Sequence, residues 1–251
     1  MDLRRAFNID ADRYNTFRPH YSAALFNKLI KSAHITKDSI LLEIGPGTGQ
    51  ATASLAKIGC KITAVELGAE LANKARAELS SFANVKIITG AFEDVNLPPS
   101  HFDLIFSATA FHWIKDEFKF TKTAELLKPG GYLAIIHTQH VFDAADEFAR
   151  ASQPIYDKFW PRKQSPKTHQ PKPPQIDGRL FELESFKAFP ATFTYSAREY
   201  AGLLGTYSPV IALPPSKRKG FLAEIEALIN ARFDGSLKKK FEFTIAIAKR
   251  K

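Results

Sequence analysis

A chain of 251 residues that is 45% hydrophobic and 24% charged is an ordinary globular chain, long enough for one large α/β domain. Its one cysteine, Cys60, excludes an internal disulfide and fits a reducing, cytoplasmic setting; Met1 to Tyr14 is too polar for a secretory signal, and no run reaches the roughly 18 apolar residues of a membrane span. The formal charge of +9 is uneven, with 16 Lys and Arg against 14 Asp and Glu over residues 1–140 and 19 against 12 over residues 141–251; lacking the interleaved aromatics of a nucleic-acid module, the excess reads as solvated lysines and disfavours nucleic acid as a partner.

In chain order, Tyr14 to His20 reads as a loop closed by Pro19, and Tyr21 to Ala33 as a helix with Leu25, Leu29 and Ile30 on one face. Ile40 to Ile44 is a short apolar run of the kind that forms a fully buried parallel strand. Gly45, Gly47 and Gly49 follow at alternate positions, where a backbone can turn sharply and approach a ligand. Gln50 to Ile58 then reads as a helix whose N-terminus points at whatever occupies the turn. Further strands are expected at Lys61 to Glu66, Val85 to Thr89, Phe102 to Ser107 and Tyr132 to His137. Helices are expected at Ala69 to Leu79 and Asp116 to Leu127, the latter stopped by a turn at Lys128-Pro129-Gly130-Gly131.

After His140 the pattern changes. Asp143 to Trp160 reads as a helix, and Pro161 to Gly178, with five prolines, as an exposed loop. Ala188 to Ser196 reads as a strand, Arg198 to Thr206 and Lys217 to Phe233 as helices, and Phe241 to Lys249 as a last strand. Strands alternating with helices mean a Rossmann-like parallel sheet with right-handed crossovers, here of seven strands. Such sheets bind ligands beyond the carboxyl ends of their strands, where Glu43, Glu66, Glu93 and residues 107–112 fall. We expect one domain over residues 1–251: an N-terminal arm to residue 35, a cofactor-binding core over 36–140, an insertion over 141–185, and C-terminal strands and helices over 186–251.

The glycine spacing decides between ligands. Dinucleotide sites use G-x-G-x-x-G, whereas here the third glycine arrives one residue early and Pro46 sits inside the turn. Glu43, two residues before the first glycine, would face a pyrophosphate at close range, which is unfavourable. It suits a ligand with positive charge. Glu66, at the end of the next strand, can accept hydrogen bonds from both hydroxyls of a ribose. A ligand with a ribose and a cationic end, but no phosphate, is S-adenosylmethionine.

The same residues resemble a known family. Leu42-Glu43-Ile44-Gly45-Pro46-Gly47-Thr48-Gly49 resembles the first motif of class I S-adenosylmethionine-dependent methyltransferases. Val65-Glu66 resembles their ribose-binding motif, and Gly90-Ala91-Phe92-Glu93-Asp94 the segment along the adenine. Phe102 to Ser107 resembles the fourth-strand motif, and Leu126 to Gly131 the turn before strand five. A narrower likeness, through Arg18-Pro19-His20-Tyr21 and Ala110-Phe111-His112-Trp113-Ile114, is to the small-molecule branch that includes trans-aconitate methyltransferase.

The resemblance implies helices on both faces of the sheet, an antiparallel last strand and a helical insertion late in the sheet. It implies that Glu43, Gly45, Gly47, Gly49, Glu66, Leu67 and Thr109 bind the cofactor, and that Tyr14 and Arg18 form a lid over it. Ala91 stands where many members have an Asp for the adenine amino group, so that contact falls to the backbone or ring of Phe92 or to Glu93. His112 faces substrate, lines the methionine end of the cofactor, or packs as an aromatic neighbour; it is the candidate catalytic base, with His20 and His137 as further histidines. No metal is implied. The expected acceptor is a small molecule, with a carboxylate among the candidates. The competing readings are an RNA or protein methyltransferase using the basic C-terminal half, and a non-catalytic S-adenosylmethionine-binding module. Neither acceptor nor oligomeric state is legible.

Overall fold

The computed structural model describes residues 16–141, 146–160 and 171–251. The chain runs α1 (Ala23–Ser32), β1 (Ile40–Ile44), α2 (Gln50–Ala56), β2 (Lys61–Glu66), α3 (Ala69–Glu78), β3 (Val85–Thr89) and β4 (Phe102–Ala108). A 3-10 turn (Phe111–Trp113), α4 (Asp116–Lys119), α5 (Thr121–Leu126) and β5 (Leu127–His140) follow. The last third holds α6 (Glu147–Phe159), β6 (Phe181–Ser196), α7 (Ala197–Gly205), α8 (Ser208–Ile211), α9 (Pro215–Arg232) and β7 (Ser236–Arg250).

The seven strands form one sheet in the order β3-β2-β1-β4-β5-β7-β6. β1 pairs in parallel with both β2 and β4, so the chain steps outward from β1 to β3 and then returns to the other side of β1. That reversal is the switch point at which open sheets of this type hold ligands. β7 runs antiparallel. The Val141 N–H donates to the Lys240 carbonyl at 3.0 Å, while Gln139 Nε2, two residues earlier, meets the Glu242 carboxylate two residues later.

Three expectations are corrected. Lys128 to Gly131 does not end the strand pairing: β5 begins at Leu127, opposite Phe102, and the next recorded pair is Leu104 with Tyr132. The proline and glycines are a bulge within β5, with Gly130 at φ +73°. The helix expected over Asp116 to Leu127 is two short helices joined at Phe120. The Thr121 hydroxyl donates to the Glu117 carbonyl and the Thr123 hydroxyl to the Lys119 carbonyl, side-chain bonds that compete with helical backbone pairing and bend the axis. β6 begins at Phe181, not Ala188, so residues 181–185 are strand and not insertion. Glu182, Glu184 and Lys187 hid it, and they are tolerated because β6 is an edge strand, where Pro190 is also tolerated.

The chain divides into two compact units. One comprises residues 20–138, 172–189 and 243–251. Its core holds Leu42, Ile44, Val65, Phe92, Phe102, Ile105, Phe111, Leu133 and Phe181, all buried. Burying each such side chain contributes about 1.5–3 kcal/mol. The other unit comprises residues 1–19, 139–171 and 190–242, with a core of Phe148, Tyr195, Tyr200, Leu203, Phe221, Ile225, Ile229 and Phe241. In this second unit β7 alternates: Lys238 and Lys240 are exposed, whereas Lys239 is buried and pairs with Asp146, the N-cap of α6, at 2.5 Å. Part of the basic excess is therefore structural. Among the described residues no helix is long and apolar enough to cross a membrane.

Candidate active site

The candidate site lies in the first unit, at the carboxyl ends of β1, β2 and β4. Its frame is the turn after β1. Gly45, Gly47 and Gly49 have φ of +69°, +59° and +91°, a left-handed backbone that side chains other than glycine's rarely adopt. Gly45 has a second constraint: a Cβ built there would stand 2.5 Å from the Cβ of Ala110. The segment after β4 thus presses directly against the turn. Ser107, buried at the end of β4, donates to the Ile44 carbonyl at 2.7 Å and makes a second attachment.

Glu66 closes the turn from the β2 side. Its carboxylate accepts the Gly47 N–H and the Gly68 N–H, each at 2.9 Å. Burial pushes its pKa above the ordinary value, opposed by the N–H groups of Gly68, Gly47 and Leu67. One carboxylate fixes two backbone segments.

Glu43 sits deeper. It has no exposed surface, and one oxygen accepts the Thr52 hydroxyl, from the first turn of α2, at 2.5 Å. The other oxygen, Oε1, has no hydrogen-bond partner among the described residues. Burial raises its pKa to about 8; Thr52 opposes the shift and the charge of Glu66 adds to it. An orphaned carboxyl oxygen in a protein interior is costly unless something supplies a donor or a positive charge. A cationic ligand at the turn fits that requirement.

The remaining expected residues divide. Leu67 is half-buried beside Glu66. The Phe92 ring belongs to the core and carries the Lys122 ammonium 5.3 Å from its centroid. Glu93 accepts the Lys115 N–H at 3.2 Å. Thr109 has φ +61°, one of four non-glycine residues with positive φ among those described. His112 is exposed, with its ring 4.9 Å from that of Trp113 and 6.1 Å from that of His137. Desolvation first, then the charges of His137 and Lys119, hold its pKa below the usual histidine range. Arg18 belongs to the other unit, where its guanidinium donates to the Thr206 hydroxyl and carbonyl, both at 2.9 Å, and lies 4.3 Å over the Tyr207 ring. Tyr14 lies outside the described residues.

Sequence reasoning missed Thr52, and although it placed residues 107–112 at the strand ends it gave no role to the side chains of Ser107, Ala110 and Tyr21. Ser107 left a trace, as a hydroxyl ending an otherwise apolar strand. Thr52 and Ala110 left none, because each matters only through a neighbour brought close by the fold.

Residues 42–135 match the family described as "Methyltransferase domain". A methyltransferase-like protein of Schizosaccharomyces pombe, itself uncharacterized, is 26% identical over 230 residues, covering 91% of this chain and 87% of the relative. An uncharacterized methyltransferase of the same organism is 24% identical over 229 residues, covering 90% and 88%. The structure of a candidate type II methyltransferase from Anaeromyxobacter dehalogenans shares the fold at a TM-score of 0.63, with 24% identity over 93% of this chain and 97% of that one. The matched segment opens at the β1 strand that carries Glu43 and the glycine turn, and these likenesses support an S-adenosylmethionine-dependent methyltransferase with S-adenosylmethionine as its cofactor.

Proposed function

We propose that the enzyme methylates a small-molecule acceptor, with a carboxylate as the preferred class, in keeping with the narrower likeness to the trans-aconitate methyltransferase branch. The observation that carries the site assignment is the Oε1 of buried Glu43, without a hydrogen-bond partner among the described residues, beneath a glycine turn. It supports Glu43 as the group that answers the positive charge of the cofactor. Glu66 accepts the ribose hydroxyls, and the backbone of Gly45, Gly47, Gly49 and Leu67 shapes the cradle. Phe92, Glu93 and Thr109 line the adenosyl side.

Bound S-adenosylmethionine supplies a methyl group on a sulfonium, already a good leaving group. The chain contributes alignment and exclusion of water, and orientation alone can supply roughly 7–11 kcal/mol of a barrier. A carboxylate acceptor needs no base. For an acceptor that must lose a proton, His112 is the base; its lowered pKa keeps the imidazole neutral at pH 7. The buried Lys239–Asp146 pair subtracts from any nucleic-acid face.

Calorimetry on Glu66→Ala tests the cradle. We expect S-adenosylmethionine binding to fall by roughly tenfold or more, the worth of charge-assisted hydrogen bonds. Unchanged binding would remove the ribose assignment. A labelled-methyl screen over carboxylates, phenols, amines and RNA tests the acceptor. Label appearing in RNA, in a salt-sensitive manner and in no small carboxylate, would sink the small-molecule reading.

A further inference from the structure

We propose that Tyr21 is a positioning residue for the cofactor turn, acting through the strained backbone of Thr109. This rests on the assignment of the glycine turn as the cofactor site. Thr109 is neither glycine nor asparagine, yet it holds φ +61°. Backbone strain of this kind persists only where the surroundings impose it, and it gathers at functional sites.

The surroundings are on hand. The Thr109 N–H donates to the Ile136 carbonyl at 2.8 Å, which fixes it to β5. Its hydroxyl stands 3.4 Å from that of Thr138 and 3.3 Å from that of Tyr21. Tyr21 is itself anchored, its ring 5.4 Å from that of Phe243 and 6.0 Å from that of Phe26. Three hydroxyls, from the residue before the α1 cap and from the ends of β4 and β5, thereby meet at one strained residue.

The next residue is Ala110, whose Cβ occupies the space that a side chain at Gly45 would need. Behind it, Ser107 grips the Ile44 carbonyl. Residues 107–110 are the floor of the glycine turn. If Thr109 relaxes to an ordinary backbone conformation, Ala110 must move, and the turn loses its support at Gly45. The Tyr21 hydroxyl opposes that relaxation, so it sets cofactor affinity without touching the cofactor.

The test compares wild type, Tyr21→Phe, Thr109→Ser, Thr109→Gly and the Tyr21→Phe/Thr109→Gly double variant. The readouts are calorimetric affinity for S-adenosylhomocysteine and melting temperature without ligand. Tyr21→Phe should weaken binding roughly three- to tenfold, the worth of one net hydrogen bond, with the melting temperature held. Thr109→Ser keeps the hydroxyl and should bind more tightly than Thr109→Gly, and the double variant should bind within about twofold of Thr109→Gly, because the hydroxyl that Tyr21 meets is already gone. Tyr21→Phe binding as wild type overturns the proposal. So do losses that multiply in the double variant, and so does a loss of affinity that merely tracks a fallen melting temperature. A wild-type chain that binds no S-adenosylhomocysteine refutes the cofactor assignment itself, and this inference with it.

Discussion

Glu43 offers the sharpest test, because its two charge states predict opposite behaviour with and without ligand. Burial raises its pKa to about 8. At pH 7 the ligand-free carboxyl is therefore about 90% protonated, and at pH 6 about 99%. A cationic ligand binds to the ionised form, so the proton must leave first. That cost scales as one plus ten to the power of pKa minus pH, which makes binding about ninefold tighter at pH 7 than at pH 6, and releases about 0.9 proton per ligand bound at pH 7. An α-amino group stays charged across this window, so the ligand contributes little slope.

Isothermal calorimetry at pH 6 and pH 7, repeated in buffers of different ionisation enthalpy, reads both quantities. Glu43→Gln keeps an acceptor for the Thr52 hydroxyl but carries no charge, and it should abolish both the pH slope and the proton release. The sign reverses for stability. Because the folded carboxyl binds a proton that the unfolded one has lost, ligand-free stability falls as pH rises from the ordinary carboxyl range to about 8, by at most about 1.4 kcal/mol per pH unit. Ligand-free Glu43→Gln should then melt higher than wild type at pH 8. Equal affinity at pH 6 and pH 7 with no proton released, or a Gln variant that melts lower at pH 8, would refute the reasoning.

Two further outcomes are expected in the second unit. The Tyr195 hydroxyl is buried with no partner among the described residues, so Tyr195→Phe should stabilise the protein or leave it unchanged, within the roughly 1–3 kcal/mol that an unsatisfied group costs; a loss above about 1 kcal/mol by denaturant titration would mean the hydroxyl has a partner. His140 Nε2 lies 2.7 Å from the Tyr207 hydroxyl, and burial first, then Lys239 and Arg18, lower its pKa to about 3. Its contribution is present above the ordinary histidine pKa and is lost as pH falls from about 6.5 toward 3, so His140→Gln should flatten the acid limb of a melting-temperature profile; an unchanged limb would locate the acid sensitivity elsewhere.

The sheet was legible because its signals are local. Short apolar runs give β1 to β4 to within a residue, and β1, β2 and β3 match residue for residue. The elements misread are those in which a long-range partner overrides a local sign. The glycine pair at Gly130 and Gly131 marks a turn in any local reading, yet β4 pairs on both sides of it. The charges of β6 mark a loop, until its place at the sheet edge makes them tolerable. Lys238, Lys239 and Lys240 look alike in sequence, and only the pleat of β7 and the carboxylate of Asp146 make the middle one structural.

The site shows the same division more finely. Spacing could say that Glu43 and Glu66 end adjacent strands and suit a ribose and a cation. It could not say that the two carboxyls differ in depth and in company. Glu66 receives backbone N–H groups on both oxygens, which oppose the upward push that burial gives its pKa. Glu43 receives one hydroxyl and is otherwise wrapped in the core, a setting that favours its neutral form until a cation arrives. Two residues of one type thus sit in different electrostatic settings. That difference is set by Thr52, Gly47 and Gly68, which the fold brings to the two carboxyls.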